Sequence, residues 1–291
     1  MDLAYLRAHP HQLPTFLTHQ RIRETPVPGG SICTASRLTL DDGADIFTKT
    51  RDAAPPDFFA TEATGLDWLR VDGGPPVPEV IVALPEMLAL EWVQPGEPTK
   101  TAAEEFGRAL ARLHQHKVPA YGAGWPGFIG ALPQDNSPDA GPWPRWFAEH
   151  RLQPYLEQST DNGALTASEI SLVERVIARM DDVGGAEPAA RIHGDLWPGN
   201  VLWAADGRAW LVDPAAHGGH PETDLAQLAM FGGVPHLDRV ITTYQEIVVL
   251  AENWRARVPV HQLHLLLVHT ALFGASYRAP VKAAADAALR A

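Results

Sequence analysis

Residues 191–212, RIHGDLWPGNVLWAADGRAWLV, followed at once by Asp213, Pro214 and Ala215, carry the side chains whose types and spacing could do chemistry. Asp195 precedes a short apolar run, Val201, Leu202 and Trp203. Asn200 stands at the start of that run, and Asp213 ends a second run over 209–212. The Asp206–Gly207 pair between the runs predicts a β-hairpin. A tight hairpin brings its outer ends together, so Asn200 and Asp213 share one face with Asp195 close by. Such a set supplies an acceptor for a hydroxyl proton, with a carboxylate and an amide oxygen as hard ligands for a cation. Those are the parts that phosphoryl transfer from a magnesium nucleotide requires. The Asp-x4-Asn spacing and a later Asp at a strand end match a catalytic-loop signature for that chemistry. The alternative is a local role only, with HGD as a turn and Asp213 as a strand cap.

The elements that must position this hairpin are legible in part. Residues 3–18 predict a short helix broken near Pro10 and Pro14. Pro28, Gly29 and Gly30 form a turn before a partly strand-like segment, 31–40. Residues 41–43 make a hairpin turn, and 45–50, ending in IFTKT, form the returning strand. A glycine turn between strands can let backbone amides approach phosphates. Residues 59–69 predict a helix with Phe59, Ala63, Leu66 and Leu69 on its apolar stripe. Residues 81–84 and 87–92 predict a further hairpin, turned by Pro85 and Glu86. A strong helix follows over 101–115, with Thr101 as a possible cap, Glu104 three residues on, and Phe106, Leu110 and Leu113 on one face. On it, His114 and His116 read as solvent-facing or core-edge.

HGDLWPGN, with DPAAHGGHPETDLAQLAMFGG after it, resembles the fructosamine kinase (ketosamine-3-kinase) family, within the protein-kinase-like group that also holds aminoglycoside and choline phosphotransferases. The tryptophan of HGDLW and the run 219–233 are more specific than the short HGD…N…D pattern, and the resemblance extends from about residue 27 to about residue 277. It implies an α+β, bilobal protein-kinase-like fold: a small β-rich lobe with its hinge over 1–93, and a larger, mainly helical lobe over 94–291. It marks Lys49 for the nucleotide phosphates and Glu62 as its ion-pair partner. Gly29, Gly30 and Ser31 become the nucleotide loop, and Glu91, Trp92 and Val93 the hinge whose backbone meets adenine. Asp195 accepts or orients the hydroxyl proton, and Asn200 and Asp213 bind Mg2+.

On the acceptor side the resemblance implies Gln134 and Asn136, from the segment GFIGALPQDN; an ordinary surface loop reads equally well there. Trp197 stacks or packs against a sugar-like acceptor. His193 holds Asp195 in place, and His220, Glu222 and Asp224 surround the site, Asp224 as a brace for the catalytic loop. The chain has Asp213-Pro214-Ala215 where protein kinases have D-F-G, and no recognisable A-P-E, so a long peptide groove is not implied. The implied activity is ATP-dependent phosphorylation of the C3 hydroxyl of ketosamines, free or on glycated lysines of proteins, leading to protein deglycation and repair. Aminoglycoside or choline kinase activity, or a noncatalytic nucleotide-binding role, are the alternatives.

Helices are predicted over 144–156, 168–182, 237–254 and 260–277, where His261, His264 and His269 read as core-edge residues. A zinc site at 217–220 lacks expected partner ligands. The chain has 291 residues, 45% hydrophobic and 20% charged, enough for a substantial core. Its formal charge of -12 argues against a nonspecific nucleic-acid binder. No apolar run approaches the ~20 residues of a membrane span, and a cytoplasmic, membrane-free protein is the expectation. The single cysteine, Cys33, excludes an intramolecular disulfide. It leaves a monomer as the expectation, with a redox-sensitive thiol or a thiol-linked dimer as the alternative.

Overall fold

The computed structural model describes residues 2–17, 22–30, 32–183 and 187–290. Its N-terminal region begins with α1 (Leu3–Ala8), a 3-10 turn at Pro10–Gln12 and α2 (Leu13–Leu17). Thr18, the expected end of this helical segment, lies outside the described residues. Strands β1 (Arg23–Pro26), β2 (Thr34–Thr39) and β3 (Asp45–Thr50) are followed by helix α3 (Phe58–Leu69), then β4 (Val80–Leu84) and β5 (Met87–Glu91). The five strands form one antiparallel sheet in the order β1-β2-β3-β5-β4. On β2 and β3 the alternation buries Leu38 and Ile46 against Leu6 and Leu13. The alternation breaks at Lys49, buried beside the equally buried Thr48. A charge spends its hydration there only because partners wait for it.

The larger region is mainly helical. Helix α4 (Lys100–Gln115) starts one residue earlier than the apolar spacing predicts and is capped by Thr99, whose hydroxyl accepts from the Ala102 amide at 3.1 Å. Thr101 is already in the first turn, where its backbone is helical and cannot cap. Glu104, free of any capping duty, pairs with Arg239. The segment GFIGALPQDN contains a small hairpin, β6 (Gly127–Ile129) and β7 (Leu132–Gln134). Next come α5 (Trp143–Phe147), a π-helical turn at Ala148–Leu152, α6 (Gln153–Asp161), α7 (Ala167–Ile177) and α8 (Met180–Val183). Strand β8 (Ala190–Ile192) leads to the hairpin β9 (Val201–Trp203) and β10 (Ala209–Leu211), and β11 (His217–Gly219) pairs back onto β8.

Helices α9 (Pro221–Leu228), α10 (Leu237–Tyr244), α11 (Trp254–Phe273) and α12 (Arg278–Ala288) complete the chain. The expected helix over 237–254 stops at Tyr244, and a new one starts at Trp254. Gly274, at φ +74°, ends α11, because only glycine takes that conformation without steric cost. By length and composition alone, Trp254–Ala288 is apolar enough to cross a membrane, a test that a core helix also passes. Half of its most apolar window is buried inside the molecule, where α11 packs against α6, α9 and α12. Two further cores lie beyond the one under the sheet. One joins α3, β5, α4 and the β9–β10 hairpin, and the other fills the helical region around Trp143, Trp146 and Leu263.

Candidate active site

The β9–β10 hairpin turns at Gly207, φ +81°, as the Asp–Gly pair predicts. Its outer ends meet where Val212 N donates to Asn200 O at 3.2 Å. Asp213 follows with a left-handed φ of 54°, a conformation that short polar side chains tolerate better than others. That turn swings its carboxylate toward the N-terminal sheet. There Lys49 Nζ lies 2.6 Å from Glu62 Oε1 and 2.7 Å from Asp213 Oδ1. Burial works against the ammonium, but the charges of Asp213 and Glu62 outweigh it and hold its pKa above the usual lysine range. The Asp213 side chain is 52% exposed, so it can still take a second partner.

Asn200 Nδ2 donates to Asp195 O at 2.8 Å and to Asp195 Oδ2 at 3.1 Å. Spending the amide nitrogen on the loop directs the amide oxygen away from it. Asp195 Oδ1 is buried and has no hydrogen-bond partner among the described residues. Burial first, and then the negative charge of Asp213, push the Asp195 pKa well above the carboxylate range, against the Asn200 hydrogen bond. An orphaned carboxylate oxygen beside a second carboxylate is arranged for an incoming hydroxyl and a cation. Asn200 and Asp213 supply the hard oxygen donors that such a cation would take.

The loop carrying Asp195 is held by buried side chains. Asp224 accepts from His193 N at 2.8 Å and from Gly194 N at 2.9 Å. Asp195 N donates to His193 Nδ1 at 3.3 Å, and His193 Nε2 donates to Val212 O at 2.9 Å. Gln227 accepts from Leu196 N and donates to Gly194 O. Gly194, at φ +81°, admits no side chain, since a Cβ there would lie 2.4 Å from Ala215 O. Asp224 is in turn held by His114, whose Nε2 lies 3.1 Å from Asp224 Oδ2 and whose Nδ1 accepts from the Tyr244 hydroxyl at 2.9 Å.

His114 and Gln227 are the residues that sequence reasoning missed. A signal for His114 existed: with Leu110 and Leu113 it completes an i, i+3, i+4 stripe, which puts a histidine on the buried face. His114 is buried, against the solvent-facing or core-edge expectation, whereas His116 is exposed.

Other predicted residues fall in varied places. Gly29 and Gly30 have φ of +119° and +75° with open space around them, and Ser31 lies outside the described residues. The Glu91 carboxylate accepts from Glu79 N, and the Trp92 indole donates to Gln94 beneath the Arg37 guanidinium. Val93 is buried, and the chain just after it is tied to the β9–β10 hairpin through Gly96 N to Trp203 O and Ala205 N to Gln94 O. Gln134 and Asn136 are 3% and 4% exposed. They form a floor under the segment after Asp213, with Gln134 Nε2 on Ala215 O at 3.4 Å and Arg151 donating to Asn136 Oδ1 at 2.8 Å. Gln134 Oε1 and Asn136 Nδ2 are left without a hydrogen-bond partner among the described residues. Trp197 is partly buried two residues beyond Asp195 on the same loop.

His220 and Glu222 belong to a different cluster. Arg257 makes a two-pronged bond to Glu222, with Nε at 2.9 Å, and reaches Glu187 at 3.3 Å; His220 Nε2 donates to Glu187 at 2.5 Å. His261, 3.5 Å from Glu222, stacks on Trp143. Their ligand atoms are close enough to hold a metal, but the Arg257 guanidinium already fills the cation's place. His261 and His264 are fully buried, not at the core edge. Cys33 is half-buried against the central core; burial raises its thiol pKa against the attraction of Lys49.

A small antiparallel sheet carrying a buried lysine–glutamate pair over a helical region with this loop defines the protein-kinase-like phosphotransferase class. Macrolide 2'-phosphotransferase type I shares the fold, with a TM-score of 0.59 at 21% identity over 95% of this chain and 96% of that one. The fructosamine kinase profile matches residues 9–291, and the chain belongs to that family. A probable ketoamine kinase of Thermus thermophilus is 34% identical over 87% of this chain and 88% of its own. The crystal structure of a candidate fructosamine-3-kinase of Thermobifida fusca superposes with a TM-score of 0.88 at 48% identity, covering 98% of this chain and 99% of that one.

Proposed function

We propose that this protein transfers the γ-phosphoryl group of ATP to the C3 hydroxyl of a ketosamine. The observation that carries the reading is the convergence of Lys49, Glu62 and Asp213 in one ion-pair chain, with Asp195 and Asn200 at its end. Lys49, released from Asp213, would grip the nucleotide phosphates while Glu62 keeps it in place. Gly29, Gly30 and Ser31 would cover those phosphates, and the backbone of 91–93 would meet the adenine, dividing the lobes near residue 93.

Asn200 and Asp213 would hold Mg2+, which when bound neutralises phosphate charge. Asp195 would accept the C3 hydroxyl proton through its orphaned Oδ1 as the oxygen bonds to phosphorus and ADP departs. Asp224, His193, His114 and Gln227 keep that oxygen aimed. The phosphate then leaves C3 by elimination from the 1,2-enaminol, and hydrolysis of the resulting imine frees the amine and a 3-deoxy-1,2-dicarbonyl. On a glycated lysine this restores the unmodified side chain.

Family membership favours a ketosamine acceptor over an aminoglycoside or choline. The test is magnesium-dependent ADP release with fructosyl-, ribulosyl- and erythrulosyl-lysine, an aminoglycoside and choline, alongside Asp195→Asn. Ketosamine-stimulated turnover lost in the variant supports the reading. ATP binding without turnover of any ketosamine overturns it.

A further inference from the structure

Trp197 lies two residues beyond Asp195 on the same loop, and its indole is seated over Gly199, where a Cβ would fall 2.1 Å from the ring. Phe231 meets that indole edge-on at 5.8 Å. Phe231 is 48% exposed and holds a left-handed φ of 53°, which costs a bulky residue free energy that core packing does not return here. The rings continue outward. His269 is 5.1 Å from Phe231, Tyr277 is 6.3 Å from it, and Phe273, 45% exposed, is 6.1 Å from Tyr277. A catalytic-loop residue, the turn after α9 and the end of α11 thus build one aromatic shelf.

The chain beside the shelf reaches the N-terminal region. Leu272, next to Phe273, and Ile32, just past the glycine turn, both approach Gly130, at 3.0 and 3.1 Å from where its Cβ would be. The N-terminal sheet region, the β6–β7 turn and the end of α11 therefore meet at this edge. His269 commits Nδ1 to Leu265 O at 2.7 Å, and burial lowers its pKa.

We propose that this shelf receives the amine-bearing end of the acceptor, with Phe231 and Tyr277 setting specificity. The inference rests on the ketosamine reading above. With the C3 hydroxyl against Asp195, the substituent on C1 lies two carbons away, within reach of Trp197 two residues along the same loop. A ketosamine nitrogen is a secondary amine, protonated at neutral pH and flanked by carbon. A weakly hydrated cation on an apolar stem is what aromatic faces bind, within ~6 Å of a ring centroid. The five rings offer faces in place of a fixed counter-ion, so the shelf selects for a cationic, carbon-flanked centre and tolerates variety in the rest of the amine.

The test compares two acceptors with one sugar: a 1-deoxy-1-alkylaminofructose, cationic at C1, and its 1-O-alkyl ether, neutral there. The full-length protein is expected to prefer the amine in kcat/KM. Phe231→Leu and Tyr277→Leu keep apolar bulk and remove the π-face. Each should raise KM for the amine about 3- to 10-fold, leaving kcat, KM for ATP and KM for the ether unchanged, and Phe231→Tyr should restore the wild-type value. Unchanged KM and preference in both leucine variants, or equal losses for amine and ether, would overturn the proposal. Failure of the wild type to turn over any ketosamine would instead strike at the substrate reading beneath it.

Discussion

Lys49 lies between the carboxylates of Glu62 and Asp213, and Arg257 lies between those of Glu222 and Glu187. The charge formula is the same, and both cations are almost fully buried. The difference is in what closes each group. Asp213 is 52% exposed on its side chain and carries no second ion pair among the described residues, whereas Glu222 is 3% exposed and sits beneath His220, His261 and Trp143. Lysine offers a point charge on a flexible stem that can exchange one anion for another. Arginine offers a planar fork that is satisfied only by fixed geometry. Glu187 is 36% exposed, but both of its oxygens are already taken, one by His220 and one by Arg257. A buried ion pair is therefore available for chemistry when one partner keeps an uncommitted oxygen, and it becomes scaffold when every partner is already bonded.

The largest effect should come from the open group's neighbour. Asp195→Asn is expected to lower kcat by about 10²- to 10⁴-fold with an unchanged melting temperature, measured by ADP release and thermal unfolding. Next, Lys49→Met and Arg257→Met exchange losses. Lys49→Met should reduce kcat roughly 10²-fold. Arg257→Met should leave kcat nearly intact but cost about 3 kcal/mol, a fall in Tm of roughly 6–12 °C, because Glu222 is left buried without its cation. If Arg257→Met lowers kcat as strongly as Lys49→Met while Tm holds, the division between open and sealed clusters is wrong.

His114→Ala sharpens the comparison from the loop side. It removes the imidazole that holds Asp224, so kcat should fall roughly tenfold with KM for ATP unchanged, and His114→Gln should recover part of it. The sealed cluster also carries a pH signature. His220's hydrogen bond, against partial burial, lowers the Glu187 pKa to about 2, and burial lowers that of His261 to about 4. Both folded-state values lie below the unfolded ones, so both groups stabilise the fold above the unfolded pKa. That stability is lost as pH falls, from about 6.5 downward for His261 and from about 4.3 downward for Glu187. Denaturant midpoints between pH 7 and 3 should drop less steeply in His261→Gln and Glu187→Gln than in the wild type. The smallest effect is at Cys33: with its thiol pKa raised, Cys33→Ser should change kcat less than about twofold, and thiol reagents should react slowly at pH 7.

The hairpin at 201–211 was legible because its signals are local. An Asp–Gly turn between two short apolar runs leaves few alternatives, and the outer ends of a hairpin must meet. The same holds for β3, whose bounds match the sequence reading. Helix ends were less legible. Thr99 and Thr101 are the same residue type two positions apart, and only the backbone conformation decides which one caps. The segment from Tyr244 to Trp254 looked helical because it is apolar, but that apolarity serves packing against the central core. Gln134 and Asn136 were visible as polar residues near glycines, but their burial over Arg151 was not, since nothing local marks a polar side chain as covered.

By itself the sequence determined the chemistry: Asp195, Asn200 and Asp213 lie close enough along the chain for one hairpin to assemble them. Tertiary structure decided what holds and completes that chemistry. Lys49 reaches Asp213 across 164 residues and His114 reaches Asp224 across 110. The aromatic shelf joins three separate elements. Local propensity acts over one or two turns of chain, whereas partners of this kind are chosen by which surfaces the hydrophobic cores bring together.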